Sequence, residues 1–164
     1  MSTLMNAPEY NEAKENRTRN LMIAGLVAVV LTAIVGVAGF LLGHGWFFTN
    51  LAAEHRVSKF FDALEAKDYG TAYGIWYNDA KWQEHPNAHG YYTLQRFTED
   101  WTTESPVKAP ITSHHIDISK TDGSGTFGSG IIVAVRVNGD KKIFMYYIRA
   151  DGTLEWPAPH ILEY

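Results

Sequence analysis

Seven histidines and no cysteine set the range of chemistry open to this chain of 164 residues. Without Cys there is no disulfide, no thiolate metal site, no sulfur nucleophile and no lipid-bearing thiol. Metal binding falls to imidazole and carboxylate, and a zinc-type site needs three or four such groups converging on one point. His85 and His89 stand four apart, but Pro86 and Gly90 argue against a regular helix there. His114 and His115 are adjacent, so in a strand they point to opposite faces and do not share an ion. A grouping of His85, His89 and His115 is the metal site that spacing leaves open. The simpler reading is of surface or half-buried imidazoles, with no metal and no cofactor.

The elements that would position these residues are organised around one stretch. Leu21 to Leu42, LMIAGLVAVVLTAIVGVAGFLL, carries no charge, and Thr32 is its only hydroxyl. A bilayer core takes about 20 apolar residues at ~1.5 Å rise each. A helix of a soluble domain would show a polar face, and this run has none. The sequence therefore predicts a cytoplasmic tail over 1–20, a transmembrane helix over 21–43 and a single further domain over 52–164. The tail is polar and without periodicity, so disorder is expected at least to about Glu12.

Arg17 and Arg19 abut the apolar run, whereas the first cations beyond it are Arg56 and Lys59. The positive-inside rule then places the N-terminus in the cytoplasm and the domain across the membrane. The expected location is the inner membrane of a bacterium, with the domain in the periplasm. Trp46, Phe47 and Phe48 would form an aromatic belt at the far interface. A cleaved signal peptide would need a shorter apolar region and small residues spaced A-x-A, and Leu51-Ala52-Ala53 puts a bulky Leu at the first small position. An uncleaved anchor is the better reading. Ala24, Ala28, Thr32 and Gly36 recur every four residues, and Gly39 and Gly43 add a G-x-x-x-G pair, so one helix face is open to close packing on another helix. Net charge is −4. That balance argues against nucleic acid as a partner, since phosphate binding needs a basic surface.

In the domain, Val57, Phe60, Phe61 and Leu64 fall at i, i+3, i+4 and i+7 and predict an amphipathic helix ending near Lys67. Asp68 reads as the N-cap of a second helix with Ala72, Tyr73 and Trp76 inward. A loop over residues 78–90 leads to a third helix, Tyr91 to about Thr103. After Pro110 the period becomes two. His114, Ile116 and Ile118 alternate with Ser113, Asp117 and Ser119. Ile131, Val133, Val135 and Val137 point one way, and Asn138-Gly139 signals a two-residue hairpin. Lys142 to Arg149 returns, and Thr153 to Trp156 closes. Helices followed by an antiparallel meander make an α+β domain. Several strands are apolar on both faces, so a surface beyond the helix-covered one must meet something. Trp82 and Trp156 fit no helix stripe. With Ile143, Met145 and Tyr147 they are the candidate binding surface.

The order helix, FFDALEAKDYGTAYGIW, helix, then hairpins closing on RADGTLEWP resembles the nuclear transport factor 2-like superfamily, in particular its small membrane-anchored bacterial members of unknown function. The resemblance covers about residues 52–160. It implies a cone-like domain of about three helices packed on a curved antiparallel sheet. Gly152 and Trp156 are separated by three residues here, which leaves the register of the last strand open. The superfamily's isomerases and dehydratases use an acid or His with a Tyr inside the cone. The matching candidates are His114, Asp117, Tyr146 and Asp62. Yet Asp62 falls on the solvated face of its helix, and Asp117 alternates away from Ile116 and Ile118. The expectation is therefore a non-catalytic, single-pass membrane protein that binds a protein partner or a second copy of itself. The alternative is a small-molecule binder or enzyme using the cone interior.

Overall fold

The structure, a computed structural model, describes residues 11–44, 49–122 and 130–157. The chain divides into two compact units, Met1–Ala38 and Gly39–Tyr164. Helix α1 spans Glu12–Leu41. It is capped by Asn11, whose side-chain oxygen accepts from the Lys14 amide at 2.9 Å. Among the described residues it alone is long and apolar enough to cross a membrane. Its Leu, Ile and Val side chains stand exposed on every side, Leu21, Leu26 and Leu41 each by more than 60 %. In water that much apolar area would cost roughly 25 cal/mol per Å². The Thr32 hydroxyl donates to the Ala28 carbonyl at 2.9 Å, so the run's single polar side chain is satisfied within its own helix.

The helix stops where glycine allows it. His44 N–H donates to the Gly39 carbonyl at 2.9 Å and Gly43 N–H to the Phe40 carbonyl at 3.1 Å, the paired bonds of a Schellman ending. Gly43 takes the left-handed conformation such an ending needs, φ +85°. Gly43 is thus the helix terminator, and not a rung of the packing face formed with Gly39. The expected aromatic belt, Trp46 to Phe48, lies outside the described residues.

Helix α2 (Leu51–Glu65) buries Ala53, Val57, Phe60, Phe61, Ala63 and Leu64. Helix α3 (Tyr69–Trp76) starts at Asp68, whose carboxylate accepts from the Thr71 amide at 3.0 Å and its hydroxyl at 2.7 Å. Those two bonds hold the Asp68 carboxyl below the usual carboxylate range. A short 3₁₀ turn, Trp82–Glu84, precedes helix α4 (Leu94–Trp101). That helix is shorter than the periodicity predicts because Thr93 caps it by accepting from the Arg96 amide. The helices meet in an aromatic interior. Phe60 has ring centroids of Phe61, Trp76, Phe97 and Trp101 between 5.1 and 6.0 Å away.

Strands β1 (His114–Thr121), β2 (Gly130–Val137), β3 (Lys141–Ile148) and β4 (Leu154–Glu155) form an open antiparallel sheet in that order. Val137 pairs with Lys141, so the β2–β3 loop is Asn138, Gly139 and Asp140, one residue more than the two-residue hairpin expected. Asn138 and Gly139 both have positive φ there, 51° and 90°. The open question of the last strand resolves with Tyr146 opposite Glu155 and Tyr147 opposite Leu154.

Two expectations about the sheet faces are overturned. A β-bulge between Ile116 and Ile118 inserts an extra residue, which reverses the alternation of β1. Ile118 is therefore 48 % exposed while Ser119 is buried. On β3, Ile143 and Met145 do not form a surface. They pair with Val135 and Val133 on the helix-covered face, 6 % and 0 % exposed. The face turned away from the helices carries Ile118, Ile132, Ala134, Phe144 and two cations, Arg136 and Lys142.

Candidate functional site

Helix α2 carries three chemistries on three flanks. Its apolar stripe enters the core. Glu54, Ser58, Asp62 and Glu65 fall on a second flank, roughly four residues apart, and the first, second and fourth of them bond to β1. His55, Arg56 and Lys59 share a third flank with Ala52, facing a cleft.

The second flank carries all three acids of the helix. Glu54 accepts from the Ser119 hydroxyl and lies 2.9 Å from His44 Nδ1, and buried Asn50 donates to Ser119 Oγ at 3.0 Å. One and three turns on from Glu54, His114 Nε2 lies 3.0 Å from Ser58 Oγ, and its Nδ1 lies 2.6 Å from Glu65 Oε1. Phe61 stacks on the imidazole at 5.6 Å. Hydroxyl, imidazole and carboxylate in that order are the parts of an activated serine. Acyl transfer also needs N–H donors for an oxyanion and room for a substrate. Ser58 sits in mid-helix, where amide groups are spent on the helix itself, and neither Ser58 nor His114 borders the cavities of about 650, 450 and 290 Å³. The chain of bonds ties α2 to β1. Asp62, Glu65 and His114 also bring one ligand atom each within 4.8 Å of one another, close enough to share a cation, with Asp62 exposed.

Of the expected catalytic set, Asp62 and His114 come together but Asp117 and Tyr146 do not join them. His114 faces the helices. Asp117 and Tyr146 are directed to the other face of the sheet. There Asp117 meets Arg136 at 2.8 Å and Lys142 at 3.5 Å. Desolvation raises the Asp117 pKa, but the Arg136 and Lys142 cations outweigh it and hold the carboxyl below its ordinary value. The Tyr146 hydroxyl donates to Asp122 at 2.7 Å. Its ring occupies the space a Cβ on Gly130 would need, 2.2 Å from Tyr146 Cζ.

The histidine trio divides as well. His85 and His89 converge, but on Asp79, whose Oδ2 lies 2.8 Å from His85 Nδ1 and 3.1 Å from His89 Nε2. His115 is elsewhere, opposite Arg136 in the sheet. The bond to Asp79 and its charge raise the His85 pKa, and the bond from His85 is the main reason the Asp79 carboxyl titrates low. His89 stacks on Tyr77 at 4.0 Å. Asp79 was missed in the sequence because loop geometry, not spacing, delivers it.

Of the predicted binding surface, Trp82 and Tyr147 line the cavity of about 650 Å³. Trp156 is 40 % exposed and stacks on Trp101 at 5.0 Å. No family model matches this chain, and no curated protein or solved structure matches it either.

Proposed function

We propose that this chain is a single-pass membrane protein whose α+β domain binds a protein partner, as an accessory or assembly subunit of a membrane complex. The observation that carries the reading is a pair of exposed apolar side chains on the sheet face turned away from the helices. Ile118 and Phe144, 48 % and 37 % exposed, flank Ala134 on strands whose opposite face is filled by the helices. A large apolar side chain on a central strand has a reason to be there when something covers it. Arg136, Lys142 and Asp117 beside it would give a partner a polar rim.

The aromatic interior supports a non-catalytic role, since Phe60, Phe97, Trp76 and Trp101 fill the space an enclosed substrate would take. Helices on one side of an antiparallel meander suit a cone-like domain of the nuclear transport factor 2-like type. The long apolar helix after Arg17 and Arg19 suits an anchor in a bacterial inner membrane, N-terminus inside and domain in the periplasm. The face with Ala24, Ala28, Thr32, Gly36 and Gly39 would add a helix contact within the bilayer.

The test is the detergent-extracted full chain. Chemical crosslinking is expected to trap it with a stoichiometric protein, a second copy or another chain, and Phe144→Asp with Ile118→Asp to abolish the product. A wild-type chain that stays monomeric and uncrosslinked in its own membrane would overturn the reading.

A further inference from the structure

The third flank of α2 faces a cleft that the partner-binding reading does not use. It is a cavity of about 650 Å³ between α2 and α3, within the range of small-molecule sites. His55, Arg56 and Lys59 line it from α2, and no Asp or Glu is among its lining residues. Among the described residues neither Arg56 nor Lys59 forms an ion pair. Arg56 makes one long bond, 3.4 Å, to the Ile75 carbonyl. In a chain of net charge −4, two unpaired cations and an imidazole in one concavity are a local reversal of sign. Two of the three acids of α2, Glu54 and Glu65, are spent on the neighbouring flank, where they meet β1 partners.

The other wall is aromatic and fixed. Trp82 Nε1 donates to the Gly70 carbonyl at 3.0 Å, which pins the indole. Gly74 lets it close in, since a Cβ there would fall 3.1 Å from Trp82 Cδ1 and 2.9 Å from the Asp79 carbonyl oxygen. One end of the cleft is thus cationic and the other apolar.

We infer that this cleft binds an organic phosphate, with the phosphate between Arg56 and Lys59 and its apolar body against Trp82. Two full positive charges match a phosphate dianion better than a singly charged carboxylate. Arg also presents a planar fork that fits two phosphate oxygens at once. The phosphate group belongs equally to a soluble phosphomonoester and to the headgroup of an anionic lipid.

Tryptophan fluorescence of the detergent-solubilised full chain, in phosphate-free buffer, tests both sources. The probes are phenyl phosphate for the soluble source and dihexanoyl phosphatidic acid for the lipid one. Saturable binding of at least one is expected, and the probe with the lower half-saturation names the source. Arg56→Gln with Lys59→Gln is expected to weaken it at least tenfold. Ala52→Glu, which sets a carboxylate four residues before Arg56 on an exposed helix position, is expected to do the same without touching either cation. Lys120→Gln with Lys141→Gln, two exposed cations that do not line the cleft, should bind as wild type does. If neither probe saturates, or if the Arg56/Lys59 and Ala52 variants bind like the wild type, the cleft is not a phosphate site. The crosslinking outcome above is independent of this result.

Discussion

Single residues here are fixed by backbone or by charge, and each kind makes a distinct prediction. Gly43 holds φ +85° at the end of α1, and a Cβ added there would fall 2.7 Å from Ile118 Cγ2. A left-handed conformation costs a non-glycine residue about 1–2 kcal/mol, before any movement of Ile118. Gly43→Ala is expected to destabilise the domain by at least about 1 kcal/mol in urea unfolding followed by tryptophan fluorescence. The Asp79–His85 pair makes a prediction in pH. His85 titrates above its ordinary 6.5, so its stabilisation is full below that value and is lost as pH rises through the folded pKa. Asp79 titrates below its ordinary 3.8, so its share is present above that value and is lost as pH falls through the folded pKa. The pair therefore supports the fold best between about pH 4 and 6.5. Thermal melts of Asp79→Asn should show the deficit against wild type shrinking from pH 5.5 to pH 8.5. A deficit that grew with pH would contradict the assignment.

At the scale of elements, α2 does most of the organising. Its apolar spacing was readable because four large side chains recur at helical intervals, and the structure buries them all. Phe60 is fully buried among four other rings, so Phe60→Ala leaves a cavity in a packed aromatic interior. The expected loss is about 3–5 kcal/mol. Its midpoint in urea should fall well below that of Asp62→Ala, a change on the exposed surface of the same helix. The Asp68 cap was legible for a local reason, since an Asp before a helical run has its partner amide three residues on. The bulge in β1 was not. Nothing in His-His-Ile-Asp-Ile-Ser marks the extra residue, and its effect, Ile118 outward and Ser119 inward, depends on what β2 and Glu54 offer across the chain. The same limit explains Ile143 and Met145. Both faces of β3 are apolar in sequence, so which face the helices cover is settled only when they pack.

For the whole molecule, the apolar helix sets what kind of object the protein is. With Leu21 to Leu42 uncharged and α1 unbroken from Glu12 to Leu41, the full chain is expected to stay in the membrane pellet after an alkaline carbonate wash and to leave it with detergent. Recovery in the soluble fraction, trimmed near residue 53, would point to a secreted domain. The existence of one helix long and apolar enough to cross a membrane, the α+β order of the domain and most helix boundaries were determined by the sequence itself. They rest on local periodicity and on the length of one uninterrupted run, which need no partner to be read. The tertiary structure alone decided which titratable groups meet. Glu65 and Ser58 reach His114, and Asp79 collects His85 and His89, through contacts between segments whose separation along the chain carries no pattern. It also decided that two cations, an imidazole and an aromatic wall would share one cleft. A helix fixes the spacing of its own side chains, but what stands opposite them depends on how every other element is packed.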